Sequence, residues 1–311
     1  MLGAYPIAPE DLLAAFGLKA GASPLAPAAE TVIWQIRLPR IAGAVLVGAA
    51  LAASGGAYQG LFRNPLVSPD ILGVSSGAAL GAVLGIYLAL PVLLIEAMSF
   101  AGGLVAVGAV YAVAASIRGR DPVLVLVLTG VVVGALLASG VALLKFLADP
   151  LNQLPAITFW LLGSLAAFNT ADLRVLAPAV AVALIPVALL RWRLDVMSLG
   201  EDEATSLGVD VKRVRVAIVI GATLMTSAAV AVSGIVGWVG LLVPHLARLV
   251  VGPAFARLLP MTLVLGAAYL LAVDTAARVI GAVELPLGVL TAVIGTPVFL
   301  WLLARGRRGA W

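Results

Sequence analysis

The chain has 311 residues, of which 63% are hydrophobic and 11% charged. A soluble domain carries about 25% charged residues, so this composition excludes a soluble fold and implies an all-α polytopic membrane protein. The absence of cysteine excludes disulfides, thiolate metal sites and cysteine nucleophiles, and the net charge of +4 is read as topology-setting basic residues rather than a nucleic-acid surface.

One transmembrane domain is expected over 1–311, with 1–36 as an outer N-terminal segment. That segment is rich in Pro and Ala, carries Glu10, Asp11 and Lys19, and lacks the charged-then-apolar order of a signal peptide. A bilayer core about 30 Å thick asks for about 20 apolar residues per helix. Nine spans meet that demand, at 41–62, 71–90, 92–115, 123–147, 172–190, 213–233, 236–250, 259–277 and 286–304. Arg37 and Arg40 precede the first span, and Arg63-Asn64-Pro65 turns it back into the second. Glu96 stands at the start of the third. Between the fourth and fifth, segment 148–165 holds Pro150, Pro155 and Trp160 and reads as a short helix at the membrane surface. The loop 195–212 contains Leu199-Gly-Glu-Asp-Glu-Ala-Thr-Ser-Leu-Gly-Val209, the best-charged stretch between spans.

Basic residues set the orientation. With the first span entered from outside, the inner loops hold Arg63, Arg118, Arg120, Arg191, Arg193, Lys212, Arg213, Arg215, Arg248, Arg257, Arg305, Arg307 and Arg308. Lys19, Arg37, Arg40, Lys145, Arg174 and Arg278 remain outside, and this split follows the positive-inside rule. Arg40 to Gly55 faintly resembles Arg215 to Ala228 in the opposite direction. Inverted repeats build many transporters, although small residues recur throughout this chain and chance similarity is an equal reading.

No catalytic constellation emerges. The single histidine, His245, follows Pro244 near a span end and reads as structural. There is no second histidine for an H-E-x-x-H pair and no Walker A loop to cradle ATP phosphates. Neither a catalytic set nor a metal site is therefore expected. Asp274 and Arg278 sit four apart on one helix face, so they pair. Either they satisfy each other, or Arg278 also reaches the outer surface. Arg37 and Arg40 either anchor at headgroups or form a cationic patch for an acidic soluble partner. Glu201, Asp202 and Glu203 suit the first turn of a helix, with Ala204 and Leu207 as its small apolar face. That helix is either solvated or a docking element.

Eight blocks in order then resemble one family. They are Arg37-Leu-Pro-Arg40, Gly48-Ala-Ala-Leu-Ala52, Arg63-Asn-Pro-Leu66 with Gly73-Val-Ser-Ser-Gly-Ala78, Trp160-Leu-Leu-Gly-Ser164, Leu199-Gly200, Leu207-Gly208, Gly234 to Arg248, and Glu284-Leu-Pro-Leu-Gly288. The chain resembles the permease subunits of ATP-binding-cassette importers for iron-siderophores, haem and vitamin B12. The resemblance implies a type II importer fold with ten helices, of which about nine are visible here, the first being missing. It implies a homodimer, two cytoplasmic ATPase subunits that bind the ATP and Mg, and an outer substrate-binding protein. This chain would hold no cofactor of its own and would lie in the bacterial inner membrane. By resemblance Arg37, Arg40 and Arg278 dock the binding protein. Leu199, Gly200, Glu201, Ala204, Leu207 and Gly208 couple to the ATPase, and Val123 and Leu124 align loosely with an inner gate.

The reading is a non-catalytic permease that passes a metal chelate, haem or a ferric siderophore in preference to cobalamin. A secondary transporter driven by an ion gradient is the alternative. It would want acids in mid-span, and the spans hold nearly none.

Overall fold

The computed structural model describes residues 7–17, 26–117, 121–281 and 283–305. Lys19, Arg118, Arg120, Arg307 and Arg308, used above for orientation, lie outside them, as does much of the 1–36 segment. In chain order the helices are α1 (Pro9–Ala15), α2 (Pro27–Thr31), α3 (Leu38–Leu61), α4 (Val74–Tyr87), α5 (Val92–Ser116), α6 (Pro122–Leu147) and α7 (Gln153–Leu162). Then come α8 (Thr170–Leu189), α9 (Arg191–Met197), α10 (Glu201–Ser206), α11 (Val211–Ser233), α12 (Val239–Val251), α13 (Phe255–Val279) and α14 (Leu287–Arg305). A π-helical stretch, Val32–Arg37, joins α2 to α3, so one helix runs unbroken over Pro27–Leu61.

Two helices form the axis of the bundle. The most apolar windows of α3 and α11 are each 72% buried, against 22% for α5, α6 and α8. Their sequences explain it: both are dense in Gly, Ala, Ser and Thr. Lipid offers no hydrophobic drive between helices, so small residues and buried hydroxyls hold them together. Tyr58 and Thr223 share a hydrogen bond of 2.8 Å, and Thr226 donates to Ser54 at 2.9 Å, both between α3 and α11. Glycine is needed where backbones touch. A Cβ on Gly48 would stand 2.2 Å from the carbonyl oxygen of Gly266, so α3 and α13 cross on this pair. Gly77 and Gly102 do the same for α4 and α5, since a Cβ on either would stand within 2.4 Å of the other's carbonyl oxygen.

Six described helices are long and apolar enough to cross a membrane, rather than nine. The expected spans 71–90 and 236–250 are shorter, at 14 residues in α4 and 13 in α12. At 1.5 Å per residue each covers only about 20 Å. Their entrances are turns, not helix. A 3₁₀ turn at Pro69–Leu72 ends on Gly73 with φ of 75°. Gly234 and Trp238, with φ of 67° and 69°, break the chain before α12. The two turns meet inside the bundle: a Cβ on Gly240 would lie 2.7 Å from Pro69 and 3.0 Å from the carbonyl oxygen of Leu51 in α3. α14, the third short one, has a 16-residue apolar run at Leu287–Leu302.

Helix ends match their sequences. Asp121 accepts from the Val123 amide at 2.8 Å to start α6, Asn169 from Ala171 at 2.7 Å to start α8, and Asp210 from Arg213 at 3.0 Å to start α11. The helix expected within 148–165 forms as α7. It packs through fully buried Ile157 against Ala79, Val83 and Val141.

Candidate functional site

At one end of the bundle, α3 and α13 bring three arginines near two acids. Arg40 points inward. It is 8% exposed, and its guanidinium bonds Asp274 at 2.7 and 3.0 Å. It also bonds both carboxylate oxygens of Glu284, one of them at 3.1 Å. Asp274 is fully buried and also pairs with Arg278 at 3.2 Å. Arg278 is half-buried, held further by the Asp274 carbonyl at 3.3 Å and the Thr275 hydroxyl at 3.4 Å. Arg37 is half-buried one turn before Arg40 and lies within electrostatic reach of Arg278. A buried ion needs partners to offset lost hydration, and Arg40 has two. The sequence-based trio thus divides. Arg37 and Arg278 sit at the rim, whereas Arg40 is the clasp that ties α3 to α13 and to the segment before α14.

At the opposite end, α9 and α10 form a small platform. Gly200 takes φ of 140° and Gly208 φ of 83° on either side of α10, conformations that favour glycine. Ala204 is fully buried, and Glu201 pairs with Arg215 at the start of α11. Leu199 and Leu207 are each 64% exposed on the two flanks. Large apolar side chains exposed beside a charged helix are what a protein partner would cover. Val123 is partly buried against the core, while Leu124 is 51% exposed at the start of α6.

Three residues escaped the sequence reading. Glu284 was visible only as part of a block, yet it is the second acid on Arg40. Asp195 accepts from the amides of Phe255 and Ala256, the latter at 3.1 Å, and so caps α13 from α9. Asp70 accepts from the Ser75 hydroxyl inside a small polar recess between the two turns, beside Trp238 and Gly240. Residues Gly73-Val-Ser75-Ser-Gly77 fit a Gly-x-Ser-x-Gly pattern, but they enter a helix from a 3₁₀ turn, and Ser75 donates to a carboxylate. A nucleophile elbow needs a strand before it and a histidine base. Among the described residues no group of three or more His, Cys, Asp or Glu could hold a metal ion.

Relatives share this architecture. The molybdate import system permease MolB of Haemophilus influenzae is 37% identical over 308 residues, covering 99% of this chain and 91% of that protein. A probable iron chelatin transport system permease of Helicobacter pylori is 41% identical over 276 residues, covering 89% and 83%. A solved metal-chelate type ABC transporter in an inward-facing conformation superposes with a TM-score of 0.84 at 36% identity, covering 95% of this chain and 96% of that one. With residues 1–305 matching the family model as well, the chain belongs to the FecCD transport family, as a multi-pass ABC importer permease of the metal-chelate group.

Proposed function

We propose that this chain is the translocating half of a binding-protein-dependent importer in the cytoplasmic membrane, paired as a homodimer on two ATPase subunits. The observation that carries the reading is the α9–α10 platform. It is anchored to the bundle through buried Ala204 and the Glu201–Arg215 pair, and apolar outside, through Leu199 and Leu207. A groove on an ATPase subunit would cover those leucines. Movement there reaches α13 through the Asp195 cap and α11 through Arg215. A ligand-driven change needs differential contact with two states, and ATP binding next door would supply it through this platform.

At the other end Arg37 and Arg278 would meet acids on the binding protein, with Arg40 holding the helices that present them. The cargo is a metal-bearing species. Haem or a ferric siderophore is the favoured chelate, and the molybdate relative extends the class to a metal oxyanion. The reading is tested by reconstituting the permease with and without ATPase subunits. Uptake should require ATP and both partners, and uptake by the permease alone on a proton gradient would sink it. An ion-coupled carrier is less well supported, because the fully buried acid Asp274 is spent on Arg40 and Arg278.

A further inference from the structure

Three helices leave a long apolar groove on one flank of the bundle. Near the start of α5 and α8 it is walled by Leu93, Phe100, Leu176 and Ala179, with about 310 Å³ of space. It continues past Pro178 and Val182, sharing Phe100 and Ala179 with that first part, and then past Leu224 to Val107, Tyr111 and Val216. From Glu96 to Tyr111 along α5 is a length of about 22 Å. These walls belong to candidate membrane spans, so hydrocarbon, not water, is the medium beside them.

One group in the groove does not fit hydrocarbon. Glu96 lines its upper part, half-buried, and among the described residues no Lys or Arg lies within ion-pairing distance of it. Asp172, in the first turn of α8, is within electrostatic reach of Glu96. Asp172 itself accepts from the Asn169 amide at 2.9 Å and caps α8, so Glu96 is the carboxylate that lines the groove, and a carboxylate there repels a phosphate and attracts an ammonium.

We propose that this groove is a phospholipid site for an amine headgroup of the phosphatidylethanolamine type, with the ammonium at Glu96, in the negative field that Asp172 adds, and one acyl chain along Phe100 and Ala179. The ammonium donates up to three hydrogen bonds, and both oxygens of the Glu96 carboxylate can accept from it. A half-bilayer of about 15 Å fits within the groove's length. An anionic lipid such as phosphatidylglycerol lacks the cation, and phosphatidylcholine lacks the donors. The site concerns the lipid belt and is independent of what the permease carries.

The test is lipid retention by the full chain. Protein reconstituted in equal parts phosphatidylethanolamine, phosphatidylglycerol and phosphatidylcholine is stripped gently, and the lipids left per chain are counted by mass spectrometry. Charge-assisted hydrogen bonds should favour the ethanolamine lipid about tenfold. E96Q with D172N should abolish that preference while leaving total lipid similar. Ala179→Trp, which fills the groove without touching charge, should remove the retained lipid whatever its headgroup. Equal retention of the three lipids by the unaltered chain would overturn the proposal. So would an unchanged preference in the double variant, or a cysteine at Ala179 that cross-links to a second copy or to another protein.

Discussion

The two ends of the bundle carry similar numbers of charged residues and use them in opposite ways. At the Arg40 end the charges face one another. Arg40, Asp274, Glu284 and Arg278 form one connected cluster, and its central acid has no exposure. At the α10 end the charges face water, with Asp202, Glu203 and Arg213 all exposed. There it is apolar leucine that stands out. One end is therefore a lock and the other a surface, and residue type alone does not say which is which.

The largest test of that contrast is Asp274→Ala. It leaves Arg40 and Arg278 without their shared acid, and breaking a buried pair costs about 3–5 kcal/mol. Thermal unfolding in detergent should show a large loss, whereas Asp202→Ala should change little. If both variants melt alike, the lock is not a lock. Gly48→Leu comes next. Its side chain would enter the Gly266 backbone, and overpacking of this kind costs about 1–3 kcal/mol. Its effect should fall on folded yield, with ATPase stimulation per folded molecule preserved.

Leu199→Asp with Leu207→Asp sharpens the other side. Surface substitutions usually stay within about 0.5 kcal/mol, so melting should hold while ATP-driven uptake falls by tenfold or more. Normal uptake in that double variant would remove the platform from the coupling path. The smallest expected effect is at the rim. Arg37→Glu, which leaves the Asp274 cluster intact, should weaken capture of the binding protein several-fold, more at low salt than at high, because charges near the surface are screened. Capture that does not change at any salt concentration would leave Arg37 without a docking role.

How much of this was legible beforehand follows from the range of each interaction. Long spans such as 92–115 and 123–147 are written in local hydropathy and form as α5 and α6 nearly as expected. The pairing of Asp274 with Arg278 is also local, four residues on one helix. The breaks before α4 and α12 are not. Apolar residues continue through them, and only backbone dihedrals at Gly73, Gly234 and Trp238 interrupt the helix. The inward turn of Arg40 was hidden for another reason. Its chemistry suits a headgroup, a partner or an ion pair equally, and its acids lie far away in sequence. Ala204 and Leu207 looked like one apolar face of α10, yet the structure buries the first and exposes the second.

The distance in sequence has a consequence for biogenesis. Arg40 lies early in the chain, in α3, and its acids follow 234 and 244 residues later. At about 5–20 residues per second, that arginine waits roughly ten to fifty seconds before Asp274 exists. During that interval α3 carries an uncompensated cation at the membrane and cannot settle at the centre of the bundle. Assembly therefore closes from the C-terminal third backwards. A chain released before Glu284 would hold most of its helices and still lack the clasp that makes them one body, which gives quality control a single feature to read.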